Sequence, residues 1–272
     1  MSDNENTTAA DTALLKEVVA VVEAAGALLK ERFTTEPPNL DTLDEVVAAI
    51  HANDDAVLEL LKAPLLAVRP GSGWVEDELG GGELPPGEWW VTDPAEGNIN
   101  HIHGLTDWGV TATLVRDNRP VLTVVHLPLA DTTYTAVAGG GAHQDGVPLR
   151  PSAKKSLDAS MAGTGQARPG ESAETFRRIG ESVTTMLNTG LVVRVSVPAT
   201  LQLIHVAAGR MDVFWQFSDV RSGLVAGVLL VSEAGGSVTD VHGRPWDLAS
   251  SDVLATAPGL HDAAVRALST IR

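Results

Sequence analysis

The residues with most chemistry to offer are carboxylates at the ends of apolar runs. Asp93-Pro94-Ala95-Glu96-Gly97-Asn98 directly follows the β-type run Trp89-Trp90-Val91-Thr92 and precedes a short helical stretch, Ile99 to His103. A strand ending in Asp, Pro, Ala, Glu and Gly can gather two carboxylates and a free main-chain carbonyl around one point, and the glycine permits close backbone approach. A second acidic segment, Glu76-Asp77-Glu78, lies in the glycine-rich loop from Pro70 to Pro86. Hard cations take such all-oxygen surroundings. Two of them about 4 Å apart clamp a phosphate and activate a water. Taken singly, each segment has a plainer explanation: Asp before Pro is a common turn former, and three consecutive acids suit a solvated face.

Other chemistries are excluded or disfavoured. The chain has no cysteine, so thiolate nucleophiles, disulfides and thiolate-bound metals are absent. Gly80-Gly81-Gly82 and Gly139-Gly140-Gly141 lack the Gly-Lys-Ser/Thr of a phosphate-cradling P-loop. His101 and His103 are two apart and cannot share a helix face, which reads as packing or capping. Nineteen Lys and Arg against 35 Asp and Glu give a formal charge of −16. That field repels phosphate backbones and anionic lipid, so neither nucleic acid nor a membrane surface is expected as a partner. No apolar run reaches the roughly 18 residues of a membrane span. The polar, acidic start MSDNENTTAAD is unlike a signal peptide, and the expectation is a cytoplasmic protein.

The elements that must position these residues read as follows. The chain has 272 residues, 44% of them hydrophobic, enough for one large domain or two packed halves. Residues 1–10 read as a loose tail, with Asp11 capping a helix to about Phe33 along the stripe Leu14, Leu15, Val18, Val22, Ala25, Leu28 and Leu29. After a break at Pro37-Pro38, a second helix spans about 42–66, with His51 to Asp55 as a candidate interruption. Runs at 109–115, 121–127 and 132–138, separated by turn sequences, predict an antiparallel meander, followed by a hairpin around Gly139-Gly140-Gly141 and Asp145-Gly146. Beyond Pro151 the pattern alternates: helices at 171–188, 198–209, 222–234 and 259–270, and strands at 191–196, 211–217, 236–240 and 252–256. The class is α/β (α+β): an antiparallel half with helices over 1–150 and an alternating half over 151–272, packed as one globular unit.

Trp90-Val91-Thr92-Asp93-Pro94-Ala95-Glu96-Gly97-Asn98-Ile99-Asn100 resembles the motif W-[IV]-[IV]-D-P-[IL]-D-G-T-x-N of the inositol monophosphatase family. Val75-Glu76-Asp77-Glu78 is similar to its G-E-E loop, Gly141 to Leu149 to its G-A-[FW]-x-N-G hairpin, Leu201 to Asp212 to its V-A-x-G-x-x-D helix, and Gly227 to Gly236 to the helix entering E-A-G-G. The resemblance covers nearly the whole chain and implies a layered αβαβα sandwich of the inositol monophosphatase and fructose-1,6-bisphosphatase type. It implies Mg²⁺-dependent hydrolysis of a small phosphorylated metabolite, and often a homodimer. Carried over residue by residue, it gives Glu76, Asp93, the Ala95 carbonyl and Glu96 as metal ligands. Asp54, Asn98 and the metal-site acids Glu76, Asp93 and Glu96 form the catalytic set. Gly97, Asn98, Asp107, Trp108, Pro198 and Gln216 are the candidate substrate contacts, Trp108 as a pocket wall.

The chain departs from the family pattern at this site. Glu96 stands where the motif has its second Asp, and the extra methylene displaces the carboxylate by about 1 Å, enough to impair a preorganised site. Asn98 replaces the Thr, and an amide cannot pass on a proton as a hydroxyl does. Ser222-Gly223 replaces the later Trp-Asp pair and removes a ligand outright, a loss on the order of several kcal/mol for a Mg²⁺ site. Gln216 replaces a substrate-contacting Glu of some members, and Val197-Pro198 replaces Gly-[Ser/Thr]. Asp219 is a candidate substitute ligand and Asp107 a candidate new contact or base. Three readings follow: a Mg²⁺-dependent phosphatase with a weakened second metal site, the same scaffold doing other chemistry on a small metabolite, or a catalytically silent binding protein.

Overall fold

A computed structural model describes residues 3–271. Helix α1 (Asp3–Arg32) begins well before the predicted cap. The expected tail is thus corrected from Asp3 onward, while residues 1 and 2 lie outside the described residues. Asp11 is no cap either. It is 2% exposed inside the helix and receives both terminal nitrogens of Arg116 at 2.9 and 2.6 Å.

Helix α2 (Leu43–Val68) starts at a capping box in which Thr42 and Glu45 satisfy each other's main-chain amides. It passes through His51 to Asp55 without interruption. Pro64 lies inside it.

The first sheet is ordered β1 (Gly73–Trp74), β2 (Glu88–Glu96), β3 (Gly109–Arg116), β4 (Arg119–Leu127), β5 (Thr132–Val137), β6 (Gly141–Gln144), β7 (Val147–Pro148). Every neighbouring pair is antiparallel except β1 with β2. The predicted meander and hairpin are β3 to β7. Strand β2 runs through the motif itself. Its pairing with β3 slips between Asp93 and Glu96, where Pro94 has no N–H for the ladder. Helix α3 (Asn98–Ile102) follows at once.

The second sheet is ordered β11 (Ser237–Thr239), β12 (Val253–Thr256), β10 (Val213–Gln216), β8 (Met161–Thr164), β9 (Val192–Val195). The chain crosses from one sheet to the other between Pro148 and Met161. Helices α4 (Ala173–Thr189), α5 (Ala199–Ala207), α6 (Ser222–Glu233) and α7 (His261–Leu268) alternate with these strands.

The layers follow from the apolar faces. Helices α1 and α2 bury Val18, Val22, Leu29, Leu61 and Leu65 against Trp90, Trp108, Leu114 and Leu122 of the first sheet. Helices α5 and α6 fill the space between the sheets, with Leu203, Ile204, Leu229 and Leu230 in one apolar cluster with Val125 of the first sheet and Phe214 of the second. Met186, Ala264 and Leu268 of α4 and α7 cover the outer face of the second sheet beside Trp215 and Leu254. This is the αβαβα order.

Candidate active site

The slip in β2 lets two carboxylates three positions apart meet. Asp93 and Glu96 are 8% and 3% exposed, and their carboxyl groups face each other. The Ala95 amide donates to Oδ1 of Asp93 at 3.0 Å, and the Asp93 amide donates to the Thr111 hydroxyl at 3.1 Å. Thr200 at the start of α5 donates to Oε2 of Glu96 at 2.9 Å. Burial holds the Asp93 carboxyl well above its ordinary range, and the charges of Glu96 and Asp54 push the same way. Burial likewise raises Glu96 to about 7, against the lowering effect of the Thr200 hydrogen bond.

Asp54 reaches this cluster from the middle of α2. Burial raises its carboxyl to about 6, and the Asn98 amide, 2.7 Å away, opposes the rise. Glu78 is the fourth member. Burial first, then the charges of Asp93, Asp54 and Asp77, push it up to about 9.

The loop that carries Glu78 is tied to the start of α6. Ser222 donates its hydroxyl to the Glu78 carbonyl at 2.9 Å, and the Arg221 amide donates to the Gly80 carbonyl at 3.1 Å. The buried Arg221 guanidinium donates to the carbonyls of Gly81 and Gly82.

Glu76 is not brought to the cluster. Its side chain is 71% exposed and pairs with Lys62 at 2.5 Å. Glu78, two residues on, is the acid of this segment that faces Asp93 and Asp54. Trp108 is buried. It is 1% exposed and packed between Phe33 and His101.

The remaining predicted residues are placed as follows. Gly97 has φ +80°, and a Cβ there would lie 2.6 Å from the Asp107 carbonyl oxygen and 3.0 Å from Pro198 Cγ, so only glycine fits. Pro198 and Asp107 therefore sit against the motif. The Asp107 side chain itself is exposed, while its carbonyl accepts from Asn100 at 2.8 Å. Gln216 is buried at the end of β10, and its Oε1 has no hydrogen-bond partner among the described residues. Asp219 lies against Gly81, where a Cβ would meet its Oδ2 at 2.5 Å.

The sequence matches the Inositol monophosphatase family profile over residues 5–272. The chain belongs to the inositol monophosphatase family. It is 32% identical over 254 residues to an inositol-1-monophosphatase of Rhizobium meliloti (strain 1021), covering 90% of this chain and 92% of that one. It is 30% identical over 270 residues to inositol monophosphatase 3 of Solanum lycopersicum, covering 94% and 96%. The fold superposes on an inositol monophosphatase from Anabaena (Nostoc) sp. PCC 7120 with a TM-score of 0.80 and 26% identity, over 96% of this chain and 97% of that one.

Buried and half-buried carboxylates that raise one another call for a cation, and among the described residues no basic side chain is in ion-pair contact with Asp54, Glu78, Asp93 or Glu96. The donor set of Glu78, Asp93 and the Ala95 carbonyl fits one hard divalent ion in chemistry. Among the described residues no three His, Asp or Glu side chains already close around one point, so binding would gather them. A second ion finds less: one oxygen of Glu96 is occupied by Thr200, and Gly223 offers only main chain.

Two functional positions escaped sequence reasoning. Thr200 carries no signal beyond its place after Val197-Pro198-Ala199. Asn53 lies one residue before Asp54 on α2, and 4% exposure marks it as a polar residue with a buried task.

Proposed function

We propose that the chain is a Mg²⁺-dependent phosphatase of a small phosphorylated metabolite, not necessarily an inositol phosphate, with one strong and one weakened cation site. It acts as a cytoplasmic homodimer, and its two halves, 1–150 and 151–272, work as one packed unit. The observation that carries this reading is the mutual charge repulsion of Asp54, Glu78, Asp93 and Glu96, buried or half-buried carboxylates from three separate segments that face one another with no basic side chain in ion-pair contact among the described residues.

Glu78, Asp93 and the Ala95 carbonyl would hold the cation, which when bound would supply neutralisation of phosphate oxygens and a lowered pKa for water. Asp54, raised to about 6 and held by Asn98, is placed to take a proton from the attacking water. Gly97 keeps the backbone beside Pro198 free of side chain, so a phosphate group can come close. Glu96, fixed by Thr200, contributes negative charge to the weaker site.

The test is a panel of phosphate monoesters assayed with Mg²⁺ and with chelator. Phosphate release that needs Mg²⁺ supports the reading, and turnover that survives chelator defeats it. A second reading, a phosphatase scaffold turned to other chemistry or to binding alone, is favoured by one observation: Gly223, where the family has a ligand Asp, presents no side chain to the site. Binding of metabolites without phosphate release in the same panel would select it.

A further inference from the structure

A chain of amides joins the surface end of α1 to Asp54. Arg32 donates through Nε to Oδ1 of Asn53 at 2.8 Å and through Nη2 to the Ala52 carbonyl at 2.9 Å. Nδ2 of Asn53 lies 2.9 Å from Oδ1 of Asn98 and 3.1 Å from Nδ1 of His101. Nδ2 of Asn98 donates to the Ile50 carbonyl at 2.9 Å and to Oδ1 of Asp54 at 2.7 Å. Nε2 of His101 lies 3.0 Å from the Leu29 carbonyl.

The ends of the chain fix the sense of every bond. A guanidinium only donates and a carbonyl only accepts. Arg32 therefore takes the oxygen of Asn53, which leaves the Asn53 NH₂ for Asn98 and His101. Asn98 must then give its oxygen to Asn53 and its NH₂ to Ile50 and Asp54. The Leu29 carbonyl needs a proton on Nε2 of His101, so Nδ1 is free to accept from Asn53. Turning Asn98 over would set its oxygen against the Ile50 carbonyl and the Asp54 carboxylate. One arrangement satisfies every member.

We infer that Arg32, Asn53 and His101 are positioning residues for Asp54, acting through Asn98 by locking its amide with the NH₂ toward the carboxylate. A hydroxyl at position 98 rotates to suit its neighbour, whereas an amide presents a different atom on each side. Asn53 is therefore required because position 98 is Asn. The kinetic half of the test rests on the phosphatase reading, and the spectroscopic half does not.

¹⁵N NMR of His101 in the metal-free wild type is expected to show a proton on Nε2 and none on Nδ1. A proton on Nδ1 overturns the inference. In Mg²⁺-dependent phosphate release, Asn53→Ala should lower kcat about tenfold with KM nearly unchanged, as loss of a hydrogen-bonded support for a charged group implies. In an Asn98→Thr background the same change should cost less than about twofold, because contacting groups couple and the amide is gone. Equal losses in both backgrounds overturn the inference. Arg32 lies at the surface, so Arg32→Met keeps the kinetic test available if Asn53→Ala does not fold; it should lower kcat a few-fold, on the order of one weakened hydrogen bond, with the melting temperature held, and an unchanged kcat counts against the relay. If no phosphate ester is hydrolysed at all, the phosphatase reading fails by itself and the His101 tautomer decides this one.

Discussion

Thr200 donates a 2.9 Å hydrogen bond to Oε2 of Glu96, a residue 104 positions earlier, and lies 3.1 Å from the Gly223 carbonyl. One hydroxyl thus spans the motif strand and the start of α6. The longer Glu side chain is anchored by it, and the helix terminus it touches carries no carboxylate.

That arrangement makes Gly223→Asp informative. A Cβ at Gly223 meets nothing within 4 Å, and its φ is not in the left-handed range, so the side chain fits. An acid in the first turn of α6 also suits the helix dipole. Mg²⁺ affinity should rise about tenfold or more, since ligand charge tunes hard-cation sites strongly. Phosphate release at limiting Mg²⁺ should rise with it. Isothermal titration and a Mg²⁺-dependent rate curve check both, and unchanged affinity would remove the missing carboxylate as the limiting factor.

Glu78 and Glu76 should separate cleanly. Glu78→Gln removes the half-buried acid beside Asp93 and should abolish Mg²⁺-dependent turnover. Glu76→Gln breaks only an exposed pair with Lys62, a contact of about 0–1 kcal/mol. Its rate should stay within about twofold, since a surface pair of that size leaves the site geometry alone. Reversed effects would return the ligand role to Glu76.

Stability should depend on pH in a direction set by the acidic cluster. Glu78 sits at about 9 and Glu96 at about 7 in the fold, both above their ordinary 4.5. Folded groups with raised values bind more protons than the unfolded chain. Their contribution is complete below about 4.5, declines as pH rises, and is lost past about 7 and then about 9. Mg²⁺ binds the ionised forms, so the rise in melting temperature on adding Mg²⁺ should grow from about pH 5 to about pH 9. A shift that stays constant over that span would contradict the account.

Asp11→Ala tests the structural half of the chain. Arg116 then keeps Glu88 at 2.7 Å but loses two short bonds to a buried partner. The cost should be about 2–3 kcal/mol, a drop of roughly 5–10 °C in melting temperature for a chain of this length. Differential scanning calorimetry measures it, and a drop under about 2 °C would show that Glu88 carries the pair by itself.

Most elements were legible because their periodicity is long and clean. The stripe of α2 and the turn-bounded meander β3 to β5 came through within a few residues. Where legibility ended, the causes are physical. The first turns of α1, Asn4 to Ala10, are polar all round, so no apolar stripe announced them. Strand β8, Met161–Thr164, is four residues of small and mixed type, too short to show a period. In Glu76-Asp77-Glu78 three acids stand in a row, and side-chain direction is settled by where the loop is tied to Ser222 and Arg221, a contact 144 residues away in sequence for Ser222. Trp108 read as a pocket wall because Asp107 is its neighbour, yet successive residues there face opposite ways, one into solvent and one into the core.

The Glu78 loop and Glu96 owe their fixed positions to α5 and α6, through Thr200, Arg221 and Ser222, while Asp54 and Asn98 are held from α1 and α2. The reaction centre is thus a seam stitched from both sides by a few polar threads. Sliding of the interleaved helices by a fraction of an ångström would unpick it while both sheets stay intact. Heat should therefore silence the protein several degrees before its far-ultraviolet dichroism collapses.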